Sequence, residues 1–162
     1  MAISQGDRLP DTQLIRIGDD GPETVSLSDI GRGKTIAVFA VPGAYTPTCS
    51  SAHVPSFIRT RDGFAAKGVD TIVCVSVNDP FVMKAWGEAT GATEAGLHML
   101  ADADGTFTKA IGMDFTAPPA GLIGRSKRYA MLVDDGVVRT LHVEEATGVC
   151  EMTAGESLLS EL

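Results

Sequence analysis

The chain has 162 residues, 44% hydrophobic and 21% charged, with a net charge of −8. This is an ordinary soluble composition, long enough for one domain spanning residues 1–162 with a real core. The acidic balance, with no basic cluster larger than residues 125–128, argues against nucleic acid or a membrane surface as partner, and no apolar run approaches the roughly 20 residues of a membrane span.

Residues 1–7 carry neither a positive n-region nor an apolar h-region, so the expected location is the cytoplasm. Breakers between Gly6 and Asp11 imply an irregular arm over residues 1–11. Residues 13–17 and 23–27 flank Gly18-Asp19-Asp20-Gly21-Pro22 and read as a β-hairpin. Ser28-Asp29-Ile30 begins a short turn that Gly31 and Gly33 end. Residues 35–41, apolar in six of seven positions, predict a buried strand that Pro42-Gly43 stops. After Pro47 the spacing turns helical, with Val54, Phe57, Ile58, Arg61, Phe64 and Ala65 on one face. Pro55 should kink this helix or mark a broken first segment, and Lys67-Gly68 closes it.

Residues 71–77 form a second apolar strand, and the helical crossover makes it parallel to the first. Asn78-Asp79-Pro80 supplies an N-cap and a Pro at the first helical position. A short strand is expected over 97–100. Asp102-Ala103-Asp104-Gly105 resembles the start of a calcium loop but lacks its later ligands, so it reads as a turn and cap before a helix over 105–111. Pro118, Pro119, Gly121 and Gly124 predict a loop over 112–124, with Met113, Phe115, Leu122 and Ile123 buried. Residues 129–133 and 137–143 form a hairpin around Asp134-Asp135-Gly136. Thr153-Ala154-Gly155-Glu156 has the form of a capping box, and the helix after it returns Leu158, Leu159 and Leu162 to the core. The element order β-β-β-α-β-α-β-α-β-β-α gives an α/β fold, a mixed central sheet with helices on both faces.

Cys49 falls at a strand–loop–helix corner, in or near the first helical turn. Unpaired N–H groups and the positive end of the macrodipole favour thiolate there, and such sites lower a thiol from about 8.5 to roughly 3.5–7.5. Thr46 and Thr48 offer hydroxyls to a sulfur or a bound oxygen. The competing reading is a small buried hydrophobe, common for a free Cys. Cys74 and Cys150 complete the set. With no C-x-x-C, neither a zinc ribbon nor a dithiol motif is present, and no cofactor is implied. His53, four residues after Cys49, shares its helical face, where a metal pair lacks further ligands. It reads as an ordinary helix residue near the active site.

Pro42-x-x-x-Thr46-x-x-Cys49, within Pro-Gly-Ala-Tyr-Thr-Pro-Thr-Cys-Ser, resembles the P-x-x-x-T-x-x-C motif of the peroxiredoxins, the atypical type II members in particular. The stretches from Cys74 to Trp86 and from Arg125 to Val133 agree with it in order and spacing. The resemblance implies the peroxiredoxin elaboration of the thioredoxin-like fold and a thiol peroxidase acting on hydrogen peroxide and organic hydroperoxides. Cys49 would be the peroxidatic nucleophile, Thr46 would orient peroxide and Pro42 would wall the pocket. A late cation would complete the site: Arg128, just before a strand that fixes its direction, is preferred to Arg125.

The resemblance also implies a homodimer, with candidate contacts on the 112–124 loop and around Phe81. The reductant would be glutathione with glutaredoxin, or thioredoxin. Some relatives resolve the sulfenic acid with a Cys slightly beyond the position of Cys150. Here Thr147-Gly148-Val149 runs directly into Cys150, and a one-residue offset in an extended segment turns a side chain to the opposite face. Cys74 sits mid-strand, where a thiol is usually inert. The expectation is therefore a one-Cys mechanism, with a two-Cys route through Cys150 as its rival. A thioredoxin-like oxidoreductase is disfavoured by the missing C-x-x-C. A redox-sensing binding module, with Cys49 reporting oxidation to a partner, is the non-enzymatic reading.

Overall fold

The computed structural model describes residues 2–146 and 148–162. Thr147 is outside that range, so the Thr147-Gly148-Val149 string falls partly outside the described residues.

Among the described residues, nine strands and five α-helices follow one another along the chain. Strands β1 (Gln13–Gly18) and β2 (Gly21–Ser26) form the expected hairpin. Ser26 then caps a single-turn helix, α1 (Leu27–Ile30), by accepting from Asp29 N at 3.1 Å. Strand β3 (Thr35–Val41) is buried along all but its first residue. It pairs in parallel with β4 (Thr71–Ser76) and antiparallel with β8 (Tyr129–Asp134). Strand β5 (His98–Ala101) is parallel to β4, and β9 (Val137–Val143) closes the far edge against β8. The seven-stranded order is β2-β1-β5-β4-β3-β8-β9, a mixed sheet with β3 and β4 inside it. The irregular N-terminal arm is tied to β9, with Gly6 N donating to Val138 O and Val138 N to Asp7 O, and Leu9 is buried.

Because side chains alternate across a strand, the sheet has two cores. On one face Ala37, Phe39, Val41, Cys74 and Ala130 meet Phe57 and Phe64 of α2 (Val54–Ala66), Trp86 of α3 (Pro80–Thr90) and Leu158 of α5 (Gly155–Leu159). On the other, Val38, Ala40, Val73, Val75 and Met131 meet Leu27 of α1 and Phe107 of α4 (Thr106–Ala110). Asp79 caps α3 by accepting from Val82 N at 2.9 Å. Asp102 accepts from Phe107 N and Thr108 N, and Asp104 from Thr106 N. The calcium-like string is thus a helix cap.

Two expectations are corrected and one is met. Residues 112–124 are not simply a loop: β6 (Asp114–Ala117) and β7 (Leu122–Ser126) form a two-stranded ribbon, turned by a 3-10 segment, Pro118–Ala120. Within it Met113 is buried, but Ile123 is 63% exposed. The broken first segment that Pro55 could mark is present as a π-helical turn, Cys49–His53, ahead of α2, in which Val54 N donates to Cys49 O. Pro55 has no N–H and its ring crowds the carbonyl four residues back, so a widened turn relieves the conflict. The capping box does not form, since α5 starts after Ala154 without a side-chain cap. Thr153 Oγ1 donates instead to Glu144, and Glu156 pairs with Arg59. Gly155 serves close packing there: a Cβ would stand 2.5 Å from Ser56 O of α2.

Candidate active site

The helix that carries Cys49 begins at Pro47, directly after the loop that leaves β3. Asn78, beyond the end of β4, holds that loop by accepting from Ala44 N at 3.0 Å. Tyr45 takes a left-handed φ of 67°, which a non-glycine residue adopts at a cost of about 1 kcal/mol or more. The loop then turns back so that Thr46 O accepts from Ser50 N at 3.0 Å and the Thr46 side chain faces the helix.

Cys49 is fully buried, and two residues that reach its sulfur, Thr46 and Arg128, line a cleft of about 290 Å³ together with Pro42, Pro47, Leu122 and Gly148, among others. Thr46 Oγ1 lies 2.7 Å from Sγ and 2.8 Å from Gly43 O. Arg128 Nη2 donates to Sγ at 3.2 Å. Arg128 directly precedes β8, and pairing of β8 with β3 places Tyr129 opposite Ala40. Strand register therefore carries the guanidinium to the end of β3 where the loop begins. Pro42 and Thr46 of the motif share this cleft with Arg128, the cation expected from later in the chain, and both Thr46 and Arg128 touch the sulfur of Cys49. Arg125 instead lies against Gly43, where a Cβ would come within 3.1 Å of its Nη1.

Sequence reasoning missed the part played by His53. It is fully buried, with Phe39 and Phe57 4.8 Å and 5.7 Å away between ring centroids. Its Nδ1 is 2.9 Å from Arg128 Nη1 and its Nε2 3.0 Å from Thr153 O. Burial, and then the charge of Arg128, lower its pKa to about 3 against the opposing bond to Thr153. The only signal in the sequence was its position four residues after Cys49.

This shift has a sign that can be checked. An unfolded His titrates near 6.5. The stability His53 contributes is therefore complete above that pH and is lost as pH falls toward 3, at about 1.4 kcal/mol per unit. From pH 7 to 5, urea denaturation of the wild type should lose roughly 2 kcal/mol more than that of His53→Gln. Equal losses in the two proteins would assign the acid sensitivity elsewhere.

The other cysteines sit differently. Cys74 is fully buried in β4, and burial pushes its thiol well up. Cys150 is half-buried near Thr153 Oγ1, and burial raises it as well. Among the described residues no group of three or more His, Cys, Asp or Glu side chains is placed to hold a metal ion.

The Redoxin family profile matches residues 4–157. Peroxiredoxin-2E-2, chloroplastic, of Oryza sativa subsp. japonica is 45% identical over 99% of this chain and 72% of its own length. Peroxiredoxin-2F, mitochondrial, of Arabidopsis thaliana is 44% identical over 93% of this chain and 76% of its own length. The reduced Prx3 of Vibrio vulnificus, in complex with hydrogen peroxide, superposes with a TM-score of 0.90 at 48% identity, covering 98% of each chain. These relatives overturn the cytoplasmic location expected from residues 1–7, since the compartments named for the two plant proteins are organelles. Matched along nearly its whole length, this chain belongs to the peroxiredoxin family and is a thiol-dependent peroxidase.

Proposed function

We propose that the chain, as a type II member, reduces hydrogen peroxide and organic hydroperoxides by a one-Cys cycle at Cys49. The observation that carries this is the convergence on Cys49 Sγ of Thr46 Oγ1 at 2.7 Å and Arg128 Nη2 at 3.2 Å. The thiolate is the nucleophile. It attacks one peroxide oxygen, an S–O bond forms, the O–O bond breaks, and hydroxide or alkoxide leaves with the electron pair. Arg128 stabilises that developing oxyanion, the type of interaction most often decisive for rate. Thr46 has a single hydroxyl proton. Donated to Gly43 O, it leaves the oxygen free to accept from the O–H of the peroxide; donated to Sγ, it supports the thiolate. Pro42 walls the cleft without an N–H to compete. The complex of the Vibrio vulnificus relative with hydrogen peroxide supports this substrate.

The sulfenic acid then condenses with an external thiol, releasing water and leaving a mixed disulfide. A second thiol restores Cys49. Glutathione with glutaredoxin, or thioredoxin, is the reductant class. Cys74 is too deeply buried for either role. A two-Cys route keeps one supporting observation: Cys150 is on the segment whose Gly148 carbonyl accepts from Thr48 Oγ1 at 3.0 Å, at the rim of the cleft. The homodimer is proposed to use exposed Tyr45, Phe81 and Ile123.

Mass spectrometry after one equivalent of hydrogen peroxide, without thiol, tests the cycle. The expected product carries one added oxygen on the Cys49 peptide, trapped by dimedone. An intramolecular Cys49–Cys150 bond, with turnover lost in Cys150→Ser, would replace the one-Cys route by the two-Cys route. An unoxidised Cys49 would sink both.

A further inference from the structure

We infer that Glu144 and Thr153 set the position of Arg128 through His53, which makes Glu144, Thr153 and His53 positioning residues for peroxide reduction; this rests on the reading of Arg128 as oxyanion donor. A guanidinium can only donate and a carbonyl can only accept. Between Arg128 Nη1 and Thr153 O, His53 can therefore satisfy both neighbours in one form alone, neutral with its proton on Nε2. The other tautomer sets N–H against N–H at Arg128 and lone pair against lone pair at Thr153. The imidazolium does the first as well, with charge added, and burial and Arg128 both work against it.

The carbonyl of Thr153 thus selects the tautomer, and Glu144 holds that carbonyl in place. Glu144 Oε2 accepts from Glu151 N at 2.8 Å, Thr153 N at 2.9 Å and Thr153 Oγ1 at 2.8 Å. Burial opposes ionisation of Glu144, but these bonds from Thr153 and Glu151 outweigh it and hold the carboxyl below its usual range. Glu144 N in turn donates to Arg128 O at 3.0 Å. The contacts close a ring: Arg128 backbone, Glu144, Thr153, His53 and back to the Arg128 side chain. Arg128, His53 and Thr153 are each no more than 1% exposed, and Glu144 is 7% exposed. Inside such a ring the Nη2 that reaches Sγ has its plane fixed from Nη1. A small misplacement of a reacting group can cost on the order of 100-fold in rate.

The test compares the rate of Cys49 oxidation by hydrogen peroxide with its rate of alkylation by iodoacetamide, which expels iodide and develops no oxyanion. Glu144→Ala should lower the oxidation-to-alkylation ratio by about tenfold or more, and Glu144→Gln, which keeps an acceptor, should recover most of it. Nitrogen-15 NMR should find His53 with its proton on Nε2 in the wild type and a tautomer mixture in Glu144→Ala. An unchanged ratio in a folded Glu144→Ala, or a loss that Gln does not recover, overturns the inference. So does a wild-type proton on Nδ1, whether or not the Ala variant folds. Arg128→Gln separates the two levels: a ratio unchanged there refutes Arg128 as donor, while the tautomer shift still decides whether Glu144 and Thr153 govern His53.

Discussion

Cys49→Ser should reduce peroxide consumption in the presence of a thiol reductant to the uncatalysed background. A serine hydroxyl is a far poorer nucleophile than a thiolate at neutral pH, and the nearby imidazole is engaged elsewhere: His53 has its Nδ1 facing Arg128 and its Nε2 facing Thr153. Cys74→Ala removes only a buried thiol on β4 and should leave the initial rate with external thiol nearly unchanged. Steady-state peroxide consumption measures both. Residual turnover in Cys49→Ser, or an equal loss in Cys74→Ala, would mean that another thiol carries the chemistry. A passive redox sensor would differ from the start, since its wild type would consume one equivalent and stop.

Arg128→Gln should lower the rate of Cys49 oxidation by about 100- to 1,000-fold, the usual range for loss of one oxyanion donor. Gln keeps a neutral donor but lacks the fixed charge and the planar fork that spans Sγ and His53 Nδ1. Arg125→Gln should cost much less, because Arg125 lies against Gly43 and not on the sulfur. Stopped-flow oxidation by hydrogen peroxide, with circular dichroism to confirm folding, gives the comparison. If Arg125→Gln is the more damaging, the assignment of the donor is wrong.

Much of this site is legible in the sequence. The apolar run 35–41 is long, unbroken and stopped by Pro42, so β3 and the corner beyond it follow from local chemistry. Arg128 could be preferred to Arg125 because an adjacent strand gives its side chain a direction, and it is Arg128 that reaches Sγ. The ribbon of β6 and β7 could not be read. Its strands are only partly buried and short, with Pro118 and Pro119 between them, so no period of two stands out. His53 and Thr153 failed for another reason. Their roles depend on contacts 75 and 100 residues apart in sequence, and a local pattern can report only a helical face or a capping box.

That same separation bears on when reactivity appears during synthesis. Cys49 and Arg128 are 79 residues apart and are joined only when β8 adds to β3. A long loop must be closed before this pairing contributes anything, which makes it a late event for a growing chain. A nascent polypeptide that has emerged through β5 holds the thiol and Thr46 but neither the guanidinium nor Glu144 and Thr153, which orient it. Its Cys49 then lacks the hydrogen bond that Arg128 Nη2 donates to the sulfur. The contact between the guanidinium and the sulfur waits until β8 has been made and seats Arg128 beside the end of β3.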